Sequence, residues 1–169
     1  MDFINLFPNI DLFIIVLFFI ILFLHLIFIK KSKLFIDFIS VYTSFLFVVI
    51  LPLLDHRIRD FVFSNIYIRV ILFGLFFVLI HILLNHSNIK EFSARVSPSD
   101  FSTSFAYRFS ITALFFTIAL LFLPDEIKNN FGQIINILFT NFIALLIWFC
   151  LPLLFIFAYR FKTRRGWIE

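Results

Sequence analysis

Apolar residues gather into five long runs separated by short polar breaks, instead of alternating or recurring on one helical face. The runs are Leu12 to Ile29, Leu34 to Leu54, Ile66 to Leu84, Phe109 to Leu123 and Ile134 to Tyr159. At 1.5 Å per helical residue the first covers about 27 Å, close to the thickness of a bilayer's hydrocarbon core. The fourth is short by itself, and extending it back to Phe105 lengthens it by placing Tyr107 and Arg108 at the headgroup level. Ser97-Pro98-Ser99-Asp100 is a helix-start signal, and Pro124-Asp125-Glu126 is a terminator. Pro152 predicts a kink near Cys150. The expectation is an all-α polytopic transmembrane bundle, one membrane domain over 1–169 with spans near 12–29, 34–54, 66–84, 105–123 and 134–159. If the fourth run does not cross, four spans remain. A cleaved leader is the competing reading of the first run. Its acidic start (Asp2, Asp11) and its Lys30-Lys31-Ser32-Lys33 ending instead predict a retained anchor.

Composition agrees with the pattern. Hydrophobic residues make up 63% of the chain and charged residues 14%, too little polar surface to coat a water-soluble globule. Phenylalanine accounts for 30 of 169 residues. Phe, Ile, Asn and Lys share A- and T-rich codons, and Phe and Leu are both acceptable in lipid, so nucleotide bias accounts for it better than an aromatic lining does. The single cysteine, Cys150, excludes an internal disulfide, and no zinc-ligand spacing is present.

Charge supplies an independent count. Basic residues are scarce before the first run, rich after it (Lys30, Lys31, Lys33), balanced by acids around Arg57 and Arg59, rich again at Lys90, Arg95 and Arg108, and balanced at Asp125 to Lys128. They are rich once more in the tail (Arg160, Lys162, Arg164, Arg165). Under the positive-inside rule this alternation requires an odd number of crossings, with the N-terminus outside and the C-terminus in the cytoplasm of a bacterial-type inner membrane. Lys30, Lys31, Lys33, Lys162, Arg164 and Arg165 are then expected to face lipid headgroups at about 1 kcal/mol each. Nucleic acid is not an expected partner, because no folded basic face exists in water. The bilayer is, and other membrane proteins are candidates. The Asn85-His86-Ser87 sequon falls on the cytoplasmic side and carries no expectation.

Ionisable groups in hydrocarbon cost about 2.5–3.5 kcal/mol on insertion scales, so each needs an account. His25, Asp37 and His81 fall at similar depth, about one turn from the inner ends of their runs, with Tyr107, Arg108 and Arg160 near the same plane. The expectation placed first is that they sit among headgroups, paired with water, phosphate or one another. The alternative is a buried His25–Asp37–His81 cluster with Arg108 beside it, relaying protons or holding a metal. No metal or cofactor is assigned, since His81 and His86 are five apart and diverge on a helix. Asn141 and Tyr42 are candidates for polar contacts that pack helices. No phosphate-binding loop, nucleophile elbow, zinc helix or voltage-sensing charge stripe occurs.

Asp11 opening the first run, the basic turn Lys30-Lys31-Ser32-Lys33, and an early acid and serine in Leu34-Phe35-Ile36-Asp37-Phe38-Ile39-Ser40 together resemble the colicin V production protein family of small bacterial membrane proteins. The resemblance covers the first half and implies a non-enzymatic role in envelope or secretion processes. The leading expectation is therefore an accessory or scaffold component. A small channel or transporter with His25, Asp37 and His81 at its cytoplasmic mouth comes second, and a membrane-embedded enzyme last. Helical facing discriminates: side chains converging inside the bundle favour the second and third.

Overall fold

The structure is a computed structural model that describes residues 10–64, 67–96, 98 and 100–165, with side chains at 11–63, 67–96, 98 and 100–157. Every regular element among the described residues is helical. The order is α1 (Ile10–Phe28), a 3-10 turn (Lys31–Lys33), α2 (Leu34–Leu54), α3 (His56–Ser64), α4 (Ile68–Asn85), α5 (Ile89–Val96), α6 (Phe101–Leu121), α7 (Asp125–Lys128), α8 (Gln133–Ile135), a π-helical turn (Asn136–Thr140) and α9 (Phe142–Arg165). Four helices, α1, α2, α4 and α6, are long and apolar enough to cross a membrane. A fifth crossing length is made by Gln133–Thr140 joined to Phe142–Phe157 at a 43° bend.

The helix of the fourth run starts at Phe101, directly after Asp100, where the sequence signal predicts a helix start, and its 21 residues remove the shortage of length. Other expectations change in detail. The polar break after Leu54 is mostly helix α3, where Arg69 from α4 lies 3.9 Å over the Phe63 ring. The fifth helix continues unbroken through Pro152, and its bend falls at Asn141 instead. There Asn141 is exposed, and its Oδ1 accepts the Ile143 N–H at 3.3 Å. Its side chain therefore caps a helix start instead of bonding to another helix, which corrects the packing role expected for it. The Trp148 indole N–H donates to the Leu138 carbonyl at 2.6 Å, so a side chain satisfies a backbone group that the break releases.

Helix α6 is the central post: 12 of its 21 residues are buried, against two of the 18 in α4. It is also polar inside, with Ser104, Tyr107, Arg108, Ser110, Thr112 and Thr117 all buried. In lipid the outside of a bundle is the apolar side, and small or hydroxylated residues inside let helices approach closely. Ser110 spends its hydroxyl on the Tyr107 carbonyl within its own helix. On one side of α6, Ile14, Phe18 and Leu22 of α1 pack with Ala113, Phe116, Leu120, Ile135 and Phe139. On the other side, Leu34, Phe38, Val41 and Val48 of α2 and Phe73 of α4 pack with Ile111, Leu114 and Ile118. Tyr42 donates to the Phe149 carbonyl and so ties α2 to α9. α1 rests on α6 and α8, while α2 pairs with α4, and the space between α1 and α4 is left partly open.

Candidate functional site

His25 lies one turn before the end of α1, Asp37 one turn into α2, and His81 one turn before the end of α4. Successive long helices run in opposite directions, so these three positions meet at one end of the bundle. The Asp37 side chain is 1% exposed, and its two oxygens face different rings: His25 Nε2 at 3.2 Å from Oδ2 and His81 Nδ1 at 2.8 Å from Oδ1. The His81 approach is short but poorly aligned for a directed hydrogen bond, and it becomes an ion pair only when the ring is protonated. A carboxylate only accepts, which places the hydrogen of the bond from His25 on its Nε2. These groups therefore pair with one another inside the bundle, and the expectation of a headgroup setting gives way for Asp37. A purely apolar helix pair cannot satisfy a carboxylate, and two imidazoles from two other helices can.

Arg108 and Tyr107 of α6 are buried beside this cluster and within electrostatic reach of Asp37. Arg108 Nη1 donates to the His25 backbone carbonyl at 2.6 Å. That carbonyl lies in the last turn of α1, where it also accepts the Ile29 N–H at 3.3 Å and the helix dipole favours a cation. Arg108 thereby fixes the backbone that carries His25. The Tyr107 hydroxyl and His25 Nδ1 are buried without a hydrogen-bond partner.

The two imidazoles address opposite oxygens of one carboxylate instead of a common centre, and no group of His, Cys, Asp or Glu among the described residues is arranged to hold a metal ion. The arrangement suits sharing protons, because a carboxylate lies between two rings with one ring nitrogen near each of its oxygens. His25 and Asp37 line a cavity of about 250 Å³ between α1 and α4, floored by Ile111, Thr112 and Phe115 of α6. Beyond the cluster, Ser93 of α5 donates to the Ser32 carbonyl at 2.5 Å and closes α5 over the basic turn. Lys30 and Lys31 are exposed there and Lys33 is half-buried, whereas the side chains of Lys162, Arg164 and Arg165 lie outside the described residues.

At the opposite end, Asp11 is a residue whose partner the sequence did not reveal. It is 6% exposed and accepts the backbone N–H of Gly132 at 2.6 Å and, more loosely, that of Ile135 at 3.4 Å. A Cβ on Gly132 would collide with the Asp11 carboxylate, so this clamp requires glycine. An acid opening an apolar run and a glycine opening a later one were both visible, but 121 residues separate them and nothing local links them. Against protein-family models, curated proteins and solved structures, the chain gives no match.

Proposed function

We propose that the chain is a five-span protein of a bacterial-type cytoplasmic membrane, N-terminus outside and C-terminus inside, acting as a small proton-linked transporter. The observation that carries this reading is the nearly inaccessible Asp37 carboxylate bridged by histidines from two other helices. An ionisable group in hydrocarbon is costly, and three together serve an inert packing protein poorly. The groups facing Asp37 are His25 from α1, His81 from α4, and Tyr107 and Arg108 from α6. Protonating either imidazole changes the charge of the contact that joins its helix to α2, which biases how α1, α2 and α4 sit together.

The test is proton-dependent accessibility in proteoliposomes. A cysteine placed at Phe28, on the cavity wall, in a Cys150→Ser background is labelled between about pH 5 and pH 8. We expect the labelling rate to change across that range and the change to vanish in Asp37→Asn. A pH-independent rate in the parent protein, or an unchanged profile in Asp37→Asn, overturns the reading.

A second reading, the accessory or scaffold component of an envelope or secretion process, has one observation in its favour. The outward face of α4 is apolar and exposed at Ile71, Leu75, Val78 and Ile82, with open space over Gly74. A partner helix covering that face is its expected signature.

A further inference from the structure

The end of the bundle away from Asp37 carries a pocket of about 260 Å³ where α3, the start of α4, the end of α6 and α7 come together. Its inner wall is apolar, made by Val62, Phe63 and Phe122, and its open surface is mostly polar. Arg69, Asp125, Glu126 and Lys128 all line it, two cations beside two carboxylates. Arg69 stands in the first turn of α4 with its guanidinium carbon 3.9 Å over the Phe63 ring. That stacking holds the cation where the helix leaves the hydrocarbon. Lys128 Nζ lies 3.4 Å from Asp125 Oδ1, and among the described residues this is the one ion pair formed within the pocket. Arg69 and Glu126 are not joined to each other, so the pocket holds charges of both signs that do not neutralise one another directly.

The charges define the ligand. An anion alone meets the two carboxylates, and a cation alone meets Arg69 and Lys128, whereas a group carrying both charges matches all four. The volume lies just below the roughly 300–1,000 Å³ of sites for drug-sized ligands, so a small head fits and a large body does not. Around the pocket Leu53, Leu54, Phe61, Phe63 and Tyr67 are exposed, the kind of apolar and aromatic rim that sits at a membrane interface. The pocket therefore opens into the headgroup layer. We infer that it binds the phosphoethanolamine head of a membrane phospholipid, the phosphate on Arg69 and Lys128 and the ammonium on Asp125 and Glu126. A planar guanidinium presents paired donors to phosphate oxygens. A primary ammonium donates three hydrogen bonds to carboxylates. A choline ammonium donates none and seeks an aromatic face, and Arg69 already covers a face of Phe63. A glycerol head leaves both carboxylates without a cation. The site lies at the opposite end from Asp37 and stands independently of the proton-linked reading.

The experiment is native mass spectrometry of the full chain in detergent, offered equal amounts of phosphatidylethanolamine, phosphatidylcholine and phosphatidylglycerol with the same acyl chains. One phosphatidylethanolamine retained per chain is expected, favoured about fivefold or more over either competitor. Arg69→Gln is expected to weaken its retention about fivefold, and Glu126→Gln to cut its preference over phosphatidylglycerol by a similar factor, because the pocket is left with net positive charge. Helix content is measured for each variant, and Lys128→Gln replaces Arg69→Gln if loss of the Phe63 contact disturbs folding. Equal retention of the three lipids, or an unchanged preference in the folded variants, overturns the proposal. A parent protein that prefers phosphatidylglycerol has a plain anion site, which overturns it too. Soluble glycerophosphoethanolamine is expected to displace little of the bound lipid. Full displacement at equal concentration overturns the lipid as the source and makes the pocket a site for a soluble phosphodiester.

Discussion

At the residue scale the central question is why a carboxylate and two imidazoles occupy positions that leucine could fill. Buried ion pairs recover their desolvation cost only in part, and an apolar replacement of the whole group is often neutral or stabilising, whereas removing one partner strands the other. For this cluster the contrast is a direct test. His81→Leu alone leaves Asp37 with one ring, and we expect it to cost about 2–3 kcal/mol in thermal or denaturant unfolding in detergent. Replacing His25, Asp37 and His81 together by leucine is expected to recover most of that loss while abolishing the pH-dependent labelling. Recovery of stability without recovery of response separates what the cluster does from what holds the fold. Arg108 belongs to this scale too: its bond to the His25 carbonyl sets where the ring stands, through backbone instead of side chain.

At the element scale, the joint between α1 and the broken fifth helix depends on close approach. Asp11 supplies a negative charge to backbone N–H groups at Gly132 and Ile135, where a new helix opens and donors lack intrahelical partners. Gly132→Ala drives a methyl group into that carboxylate. The expected cost is about 2 kcal/mol, from overpacking and a weakened charge-assisted hydrogen bond. The check is a lowered unfolding midpoint for Gly132→Ala, with Asp11→Ala producing a loss of similar size. If the double variant is no worse than either single one, the two residues act as one clamp. The interruption of the fifth helix falls at a π-helical turn whose released carbonyl is met by Trp148, while the helix continues through the fully buried Pro152.

At the scale of the whole molecule, Lys30, Lys31, Lys33, Lys90, Arg95 and Arg108 lie where the C-terminal ends of α1 and α4 meet the N-terminal ends of α2 and α6, and Arg57, Arg59, Arg69 and Lys128 lie toward the other end near acids. The proposed orientation puts that end in the cytoplasm. In intact cells, single cysteines near Arg57 and near Lys128 are expected to react with an impermeant reagent, and cysteines at Ser32 and Asn88 are expected to stay silent until the membrane is opened. The reverse pattern inverts the orientation, and labelling on both sides at Asn88 breaks the alternation on which the count depends.

The helical material was legible in the run pattern, and four to five of the runs became helices long and apolar enough to cross a membrane. Runs of apolar residues with the length of a hydrocarbon core can satisfy their backbone only as helices, and the alternation of basic loops orders them in pairs of opposite direction. The depth of His25, Asp37, His81 and Arg108 followed from counting residues inward from those loops. Their meeting did not follow, because depth fixes position along a helix axis and leaves rotation about it open. When every face of a helix is apolar, the pattern cannot say which face turns inward. The tertiary structure decided that rotation. It turned α6 inward on its polar side, brought two rings to opposite oxygens of Asp37, tied Asp11 to a glycine more than a hundred residues away, and left the space between α1 and α4 partly open. Side-chain packing and buried hydrogen bonds are non-local in the chain, and they select among arrangements that composition and periodicity leave equal.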